Sequence, residues 1–213
     1  MGMTTPDGPR EVSQIVPDAT ALKALTHPVR LRMLGMLRID GPATATQLAQ
    51  RLDLNSGATS YHLRQLAQHG FIEEDDSKGS KRDRWWRAKH ESTSFAHDPA
   101  APDADPDVEQ ASLAFTQAAL SWQTSLAQQS VQEYAELPPE WRRTADHSDY
   151  TIPLTAEQAM ALNRRLHEVL REVMEASPPL GEAIPDDTEL YTVLLHSFPY
   201  PGRIVHRNEE SES

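Results

Sequence analysis

Thr44-Ala-Thr-Gln-Leu-Ala-Gln-Arg-Leu52, then Asp53-Leu54-Asn55, then Ser56-Gly-Ala-Thr-Ser-Tyr-His-Leu-Arg-Gln-Leu-Ala-Gln-His69, closed by Gly70, is the stretch that decides the fold. It reads as helix, three-residue turn, helix. Thr44 with Gln47 three residues on is a capping box that ties down the first turn of the first helix. Leu48, Leu52 and Leu54 supply the buried side of that helix. The second helix can be capped by Asn55 or Ser56, and Gly70 suits the left-handed position that ends it. Thr59, Leu63, Leu66 and Ala67 recur at helical spacing as its apolar line. At 100° per residue Ala58, Tyr61 and Gln65 point the other way, flanked by Gly57, His62 and Arg64. That outward face carries hydrogen-bonding groups, a ring and one charge, and it has the character of a helix that enters a DNA major groove. Phe71 to Asp75, a loop Asp76 to Lys81, and Arg82 to Arg87 then read as a hairpin. Its cations Lys78, Lys81, Arg82 and Arg84 are placed to clamp phosphates beside the helix.

Taken as an ordered set, these segments resemble a known family. The set is Leu25-Thr-His-Pro-Val-Arg-Leu-Arg-Met-Leu34, Ala45 to Leu54, Ser60-Tyr-His-Leu-Arg-Gln-Leu66 followed by Gly70-Phe-Ile72, and Gly79 with Arg84-Trp-Trp-Arg87. It resembles the ArsR-type winged helix-turn-helix repressors over residues 17 to 90. More loosely, the remainder is similar to a larger subgroup with a helical and strand-containing C-terminal region. The resemblance implies a homodimer in which the first helix, with Leu22, takes part. It also raises metal sensing, for which the residues give little support. Thiolate sensors of the family carry cysteines on the first helix of the motif, and Thr46 to Leu52 has none. Others use Asp and His on the C-terminal helix, and residues 107 to 137 hold no His. No metal site and no cofactor is expected. A metal-responsive repressor using His, Asp or Glu ligands is a minor alternative.

Composition bounds the rest. The chain has 213 residues, a formal charge of −12 and no cysteine, which removes disulfides and thiolate chemistry. With no run of eighteen apolar residues and no N-terminal signal pattern, a soluble, unexported, cytoplasmic protein is expected. The charge is unevenly placed. Residues 21 to 90 hold twelve Lys and Arg against seven Asp and Glu, a net +5 that leaves −17 elsewhere. A basic module on an acidic body orients a molecule on DNA and repels it elsewhere. Catalysis has no footing: the chain lacks a nucleophile elbow, a phosphate-binding glycine loop and a His-Glu-x-x-His pair.

The expected architecture is mainly α (α+β). A disordered segment 1–13 precedes a winged helix-turn-helix domain 14–91 and a Pro/Asp-rich linker 92–107. A C-terminal helical dimerisation and effector region 108–206 follows, then an acidic tail 207–213. Ile15 to Leu25 is read as a helix, and Pro28 opens another with the stripe Leu31, Leu34 and Leu37. Arg30 reaches a phosphate or makes a surface ion pair. Trp85 and Trp86 cannot both face inward on a strand. Val108 to Leu137 is one long helix, and Val108, Ser112, Phe115, Ala119, Trp122 and Leu126 recur at coiled-coil spacing. A twofold partner is the simplest cover for that seam, with intramolecular packing the alternative. Tyr150 to Leu154 is a short extended segment. Thr155 and Gln158 form a second capping box for a helix to Ala176 with the stripe Ala159, Leu162, Leu166, Val169 and Val173. Glu189 to Phe198 reads as a strand with two apolar faces. Phe115, Trp122, Tyr134, Trp141 and Tyr150 either line a pocket for a small apolar effector or fill the core. The function expected is a DNA-binding transcriptional regulator, a repressor acting as a homodimer on a palindromic operator. The reading from another class is a winged-helix module that binds protein.

Overall fold

The computed structural model describes residues 9–78, 83–93, 106–182 and 184–204. Its N-terminal part is a mainly helical winged-helix fold, α+β in class. β1 (Gln14–Ile15) precedes α1 (Ala19–Leu25) and α2 (Pro28–Ile39). β2 (Ala43–Thr44) leads into α3 (Ala45–Leu52) and α4 (Ser56–Gln68). The hairpin strands β3 (Ile72–Glu74) and β4 (Trp85–Ala88) and the short β5 (Ser92–Thr93) complete it.

Local chemistry sets each boundary. The Gln47 amide donates to the Thr44 hydroxyl at 3.3 Å while the Thr44 amide donates to Gln47 Oε1 at 2.8 Å, so the capping box at α3 is closed on both sides. Asp53 ends α3 in the left-handed conformation, φ 53°. Asn55, one of the two caps the sequence offers for α4, takes the part: its Oδ1 accepts from the Ala58 amide at 2.8 Å. At the other end the Phe71 amide donates to the Leu66 carbonyl and the Gly70 amide to the Ala67 carbonyl, both at 3.0 Å. This is the paired bonding of a Schellman stop, with Gly70 at φ +76°.

The interior is formed by Leu22 and Leu25 of α1, Met33, Leu34 and Leu37 of α2, Leu48 of α3, Leu63 and Leu66 of α4, and Phe71, Ile72 and Trp86 of the hairpin. The sheet order is β2-β4-β3, antiparallel throughout, with Ala43 opposite Trp86 and Glu73 opposite Arg87. Trp86 is buried and its neighbour Trp85 half-buried, as strand alternation requires.

Three expectations need correction. The first helix does not begin at Ile15. Gln14 and Ile15 pair in parallel with Ser92 and Thr93, and the helix starts only after Pro17, where Asp18 Oδ1 caps the Ala21 amide at 2.8 Å. The second concerns Glu189 to Phe198, which is not a strand. It has strand-like alternation, yet among the described residues no neighbouring edge pairs with it, and a strand needs a ladder. Residues 9–13, expected to be loose, are held instead. The Arg10 guanidinium grips Glu91 through both nitrogens at 2.7 and 2.8 Å, while its Nε donates to the Ser177 carbonyl at 2.7 Å.

Farther along the chain, α5 (Pro106–Glu133) lies along α1 and passes into a 3₁₀ turn, Tyr134–Glu136. Two more helices follow, α6 (Pro139–Arg142) and α7 (Ala156–Ala176). Of α5 only Ala111 and Phe115 are buried. Neither α6 nor α7 has a buried residue.

The turn after α2 touches the loop after α7. Gly41 (φ +81°) and Gly181 (φ +79°) meet so closely that a Cβ on Gly41 would lie 2.5 Å from the Gly181 carbonyl oxygen. Gly41→Ala should therefore lose about 2 kcal/mol or more, from the left-handed backbone and the clash together. Gly35→Ala, in the interior of α2 with open space around its Cβ, should hold or gain up to about 1 kcal/mol. Thermal melts of the two variants side by side check this; equal melting temperatures would remove the contact as a fixed feature of the fold.

Candidate nucleic-acid interface

Burial of Thr59, Leu63 and Leu66 fixes the rotation of α4 and leaves the opposite side outward. Ser56, Gly57, Tyr61 and Arg64 are exposed, and Ala58, His62 and Gln65 are partly so. Tyr61 is 53% exposed, well above what a ring used for packing would show. Arg64 bonds only along its own helix, Nε to the Ser60 carbonyl at 3.1 Å. No carboxylate among the described residues pairs with it, so its charge is available to an external anion. Gln65 donates to Gln68 Oε1 at 3.3 Å, a weak surface contact that a base edge could displace.

His62 behaves differently from its neighbours. Its ring turns inward against His27, centroid to centroid 4.5 Å, and meets Tyr61 edge-on at 5.5 Å. Nδ1 is buried without a hydrogen-bond partner. Burial first, then the His27 ring and the Arg30 charge, hold its pKa below the usual 6.5. His27 is lowered by burial and by Arg30. Its Nδ1 accepts from the Val29 amide at 3.2 Å and so caps α2. Arg30 makes no ion pair among the described residues, and its Nε donates to the Ala24 carbonyl. His27 therefore belongs to this end of the surface, although the sequence reading passed over it. Its one visible signal was the His-Pro pair opening α2, where a capping residue sits.

The wing beside α4 is less basic than its sequence suggests. Arg87 pairs with Glu73 at 2.7 Å and Arg84 with Glu74 at 3.3 Å across β3 and β4. Arg84 also lies over Trp86 at 5.7 Å, and Lys78 over Trp85 at 5.9 Å. These pairs are exposed and hold their partners weakly. Lys81 and Arg82 lie outside the described residues.

The residues expected at a dimer seam divide along α5. Leu22 and Phe115 are buried together in the chain's own core, with Ala119 against it. Val108 and Ser112 are partly covered, Leu126 also, and Trp122 stands exposed with Arg32 5.7 Å from its ring. The N-terminal half of the seam thus has the intramolecular cover that was the alternative. The five aromatic residues considered for a pocket do not converge: Phe115 is in the core and Tyr150 is largely exposed to solvent. Open cavities lie elsewhere. One of about 480 Å³ lies between Arg38, the base of the wing and Gly181. Another, about 400 Å³, lies beside Trp141. Arg38, largely buried, donates to the His90 carbonyl and the Thr93 hydroxyl, and burial lowers its pKa to about 10. Among the described residues no cluster of three or more His, Cys, Asp or Glu is arranged to hold a metal ion. None of the described helices is long and apolar enough to cross a membrane.

A search of curated proteins finds no match. Among solved structures the chain is similar to reduced HlyU from Vibrio cholerae N16961, at 28% identity over 32% of this chain and 68% of that one, with a TM-score of 0.29. It is also similar to ZitR from Lactococcus lactis, at 14% identity over 70% and 83% of the two chains with a TM-score of 0.31. A further likeness is to MarR from E. coli complexed with operator DNA, at 16% identity over 72% and 84% with a TM-score of 0.31. Residues 25–75, from the end of α1 to the start of the wing, match a family model described as a helix-turn-helix domain.

Proposed function

We propose that the chain is a sequence-specific DNA-binding transcriptional regulator, a repressor that works as a homodimer on a palindromic operator. The observation that carries this reading is the outward side of α4. Its apolar side is consumed by the core, while Tyr61, Arg64 and Gln65 face outward at helical spacing beside a hairpin that carries cations. Gln65 suits a bidentate contact to adenine, the Tyr61 ring suits a thymine methyl, and Arg64 suits a phosphate or guanine. Lys78, Arg84 and the loop residues Lys81 and Arg82 would track the flanking backbone. Half-sites would lie about one helical turn, roughly 10 bp, apart or a multiple of it. An effector that releases the operator would bind the C-terminal region with different affinity in the two arrangements of the DNA-binding domains.

DNA fragments selected by the full-length protein from its own genome supply the operator for the test. Arg64→Ala with Arg82→Ala should abolish its retention in a gel shift and leave the oligomer intact. Wild-type affinity should fall steeply as salt rises. Retention unchanged in the double variant would remove α4 and the wing as the contact surface. No binding even at low salt would favour a protein-binding winged helix.

A further inference from the structure

We propose that α7 pairs antiparallel with α7 of a second copy, about a twofold axis between residues 167 and 168. The inference rests on the homodimer reading above and specifies where the two copies meet.

α7 is an amphipathic helix of 21 residues with a closed capping box at its start and no buried residue. Its stripe Ala159, Leu162, Leu166, Val169 and Val173 has steps of three and four, two heptads of a coiled-coil seam. Val169 and Val173 are each 58% exposed. Such a helix does not persist alone in water, and most helical stability comes from packing the apolar face. The chain's own winged domain does not cover it. Ile152 and Leu154 before the helix and Val193 and Phe198 after it are exposed as well. Monomeric proteins rarely expose contiguous apolar patches of more than a few hundred Å².

The spacing makes a second copy a matching occupant. In an antiparallel pair, Leu166 lies on the partner's Val169, Leu162 on the partner's Val173 and Ala159 on the partner's Ala176. Every layer is apolar, and each occurs twice by symmetry. The flanking charges choose the direction. Antiparallel packing sets Arg165 beside the partner's Glu172 on both sides of the axis. Parallel packing would set Arg165 beside the partner's Leu170 and Gln158 beside the partner's Asn163, with no charge match. Residues flanking a seam set orientation in this way.

The chain has no cysteine, so engineered thiols can be read without background. Full-length protein at micromolar concentration should scatter light as a particle of twice 23.8 kDa. Ala159→Cys combined with Ala176→Cys should give covalent dimers under mild oxidation, while either substitution alone should not. The two sites are roughly 25 Å apart on one helix, so they cannot bridge within a chain. Arg165→Glu should weaken the dimer at least tenfold, and adding Glu172→Arg should restore it. Self-linking by Ala159→Cys alone would overturn the pairing in favour of a parallel one. Absence of covalent dimers in the double variant, or no rescue by the second charge reversal, would overturn it outright. A dimer that still holds the operator after such a result would leave the DNA-binding reading standing.

Discussion

Two substitutions on one helix, two residues apart, should fail in opposite ways. Leu63→Ala is expected to lower stability by about 2–5 kcal/mol with its DNA contacts left in place. Tyr61→Ala is expected to leave the melting temperature nearly unchanged and to weaken operator binding at least tenfold. Leu63 is completely buried among α1, α2 and α3, so its truncation removes transfer free energy and opens a cavity. Tyr61 lies on the outward side, meeting the His62 ring edge-on, and surface changes away from such packing are usually worth no more than about 0.5 kcal/mol. A thermal melt and an anisotropy titration on each variant separate the two. Should Tyr61→Ala unfold the protein while operator binding by the remaining folded fraction stays normal, that ring serves the core and the assigned orientation of α4 is wrong.

That orientation was legible in the sequence because local signals agreed. Thr44, Gln47 and Gly70 mark helix ends by mechanisms confined to a few residues, and the apolar line through Leu63 and Leu66 needs only helical periodicity. The adjacent tryptophans were legible for a like reason, since strand alternation allows only one of them inside. What stayed hidden depends on distant partners. Ile15 looked helical because the partner that draws it into a parallel bridge, Thr93, lies far along the chain. The neutralisation of Arg84 and Arg87 by Glu74 and Glu73 needed the register of the hairpin, so the count of wing cations overstated the free charge. Glu189 to Phe198 carries the alternation of a strand, but alternation states only which residues want cover, not whether an edge is present. The inward turn of His62 against His27 joins the start of α2 to the middle of α4, a contact no local pattern encodes.

The His27–His62 contact has a consequence for pH. In the free protein burial and the nearby Arg30 hold both imidazoles below the usual 6.5, and each ring is neutral near pH 7. The groups facing the pair are Arg30 on α2 and the Tyr61 ring on α4, and among the described residues no carboxylate supplies a negative charge there. A phosphate brought to this end of α4 would supply one. It favours the protonated imidazole and raises the pKa in the complex. Binding then takes up protons between the free and bound values, so operator affinity should increase as pH falls from about 7.5 to 5.5. The gain is limited to about tenfold per pH unit for each proton taken up. Stability without DNA should move the other way. A histidine whose folded pKa lies below its unfolded one contributes fully above about 6.5, and that contribution is lost as pH falls toward the folded value. Acidification should thus lower the melting temperature of the free protein while tightening its complex. General acid weakening of the fold cannot produce such opposed trends. His62→Gln keeps a hydrogen-bonding side chain without titrating, and it should flatten the affinity profile between those limits at constant ionic strength. An affinity that falls on acidification, or a slope that survives His62→Gln together with His27→Gln, would place the phosphates elsewhere on α4.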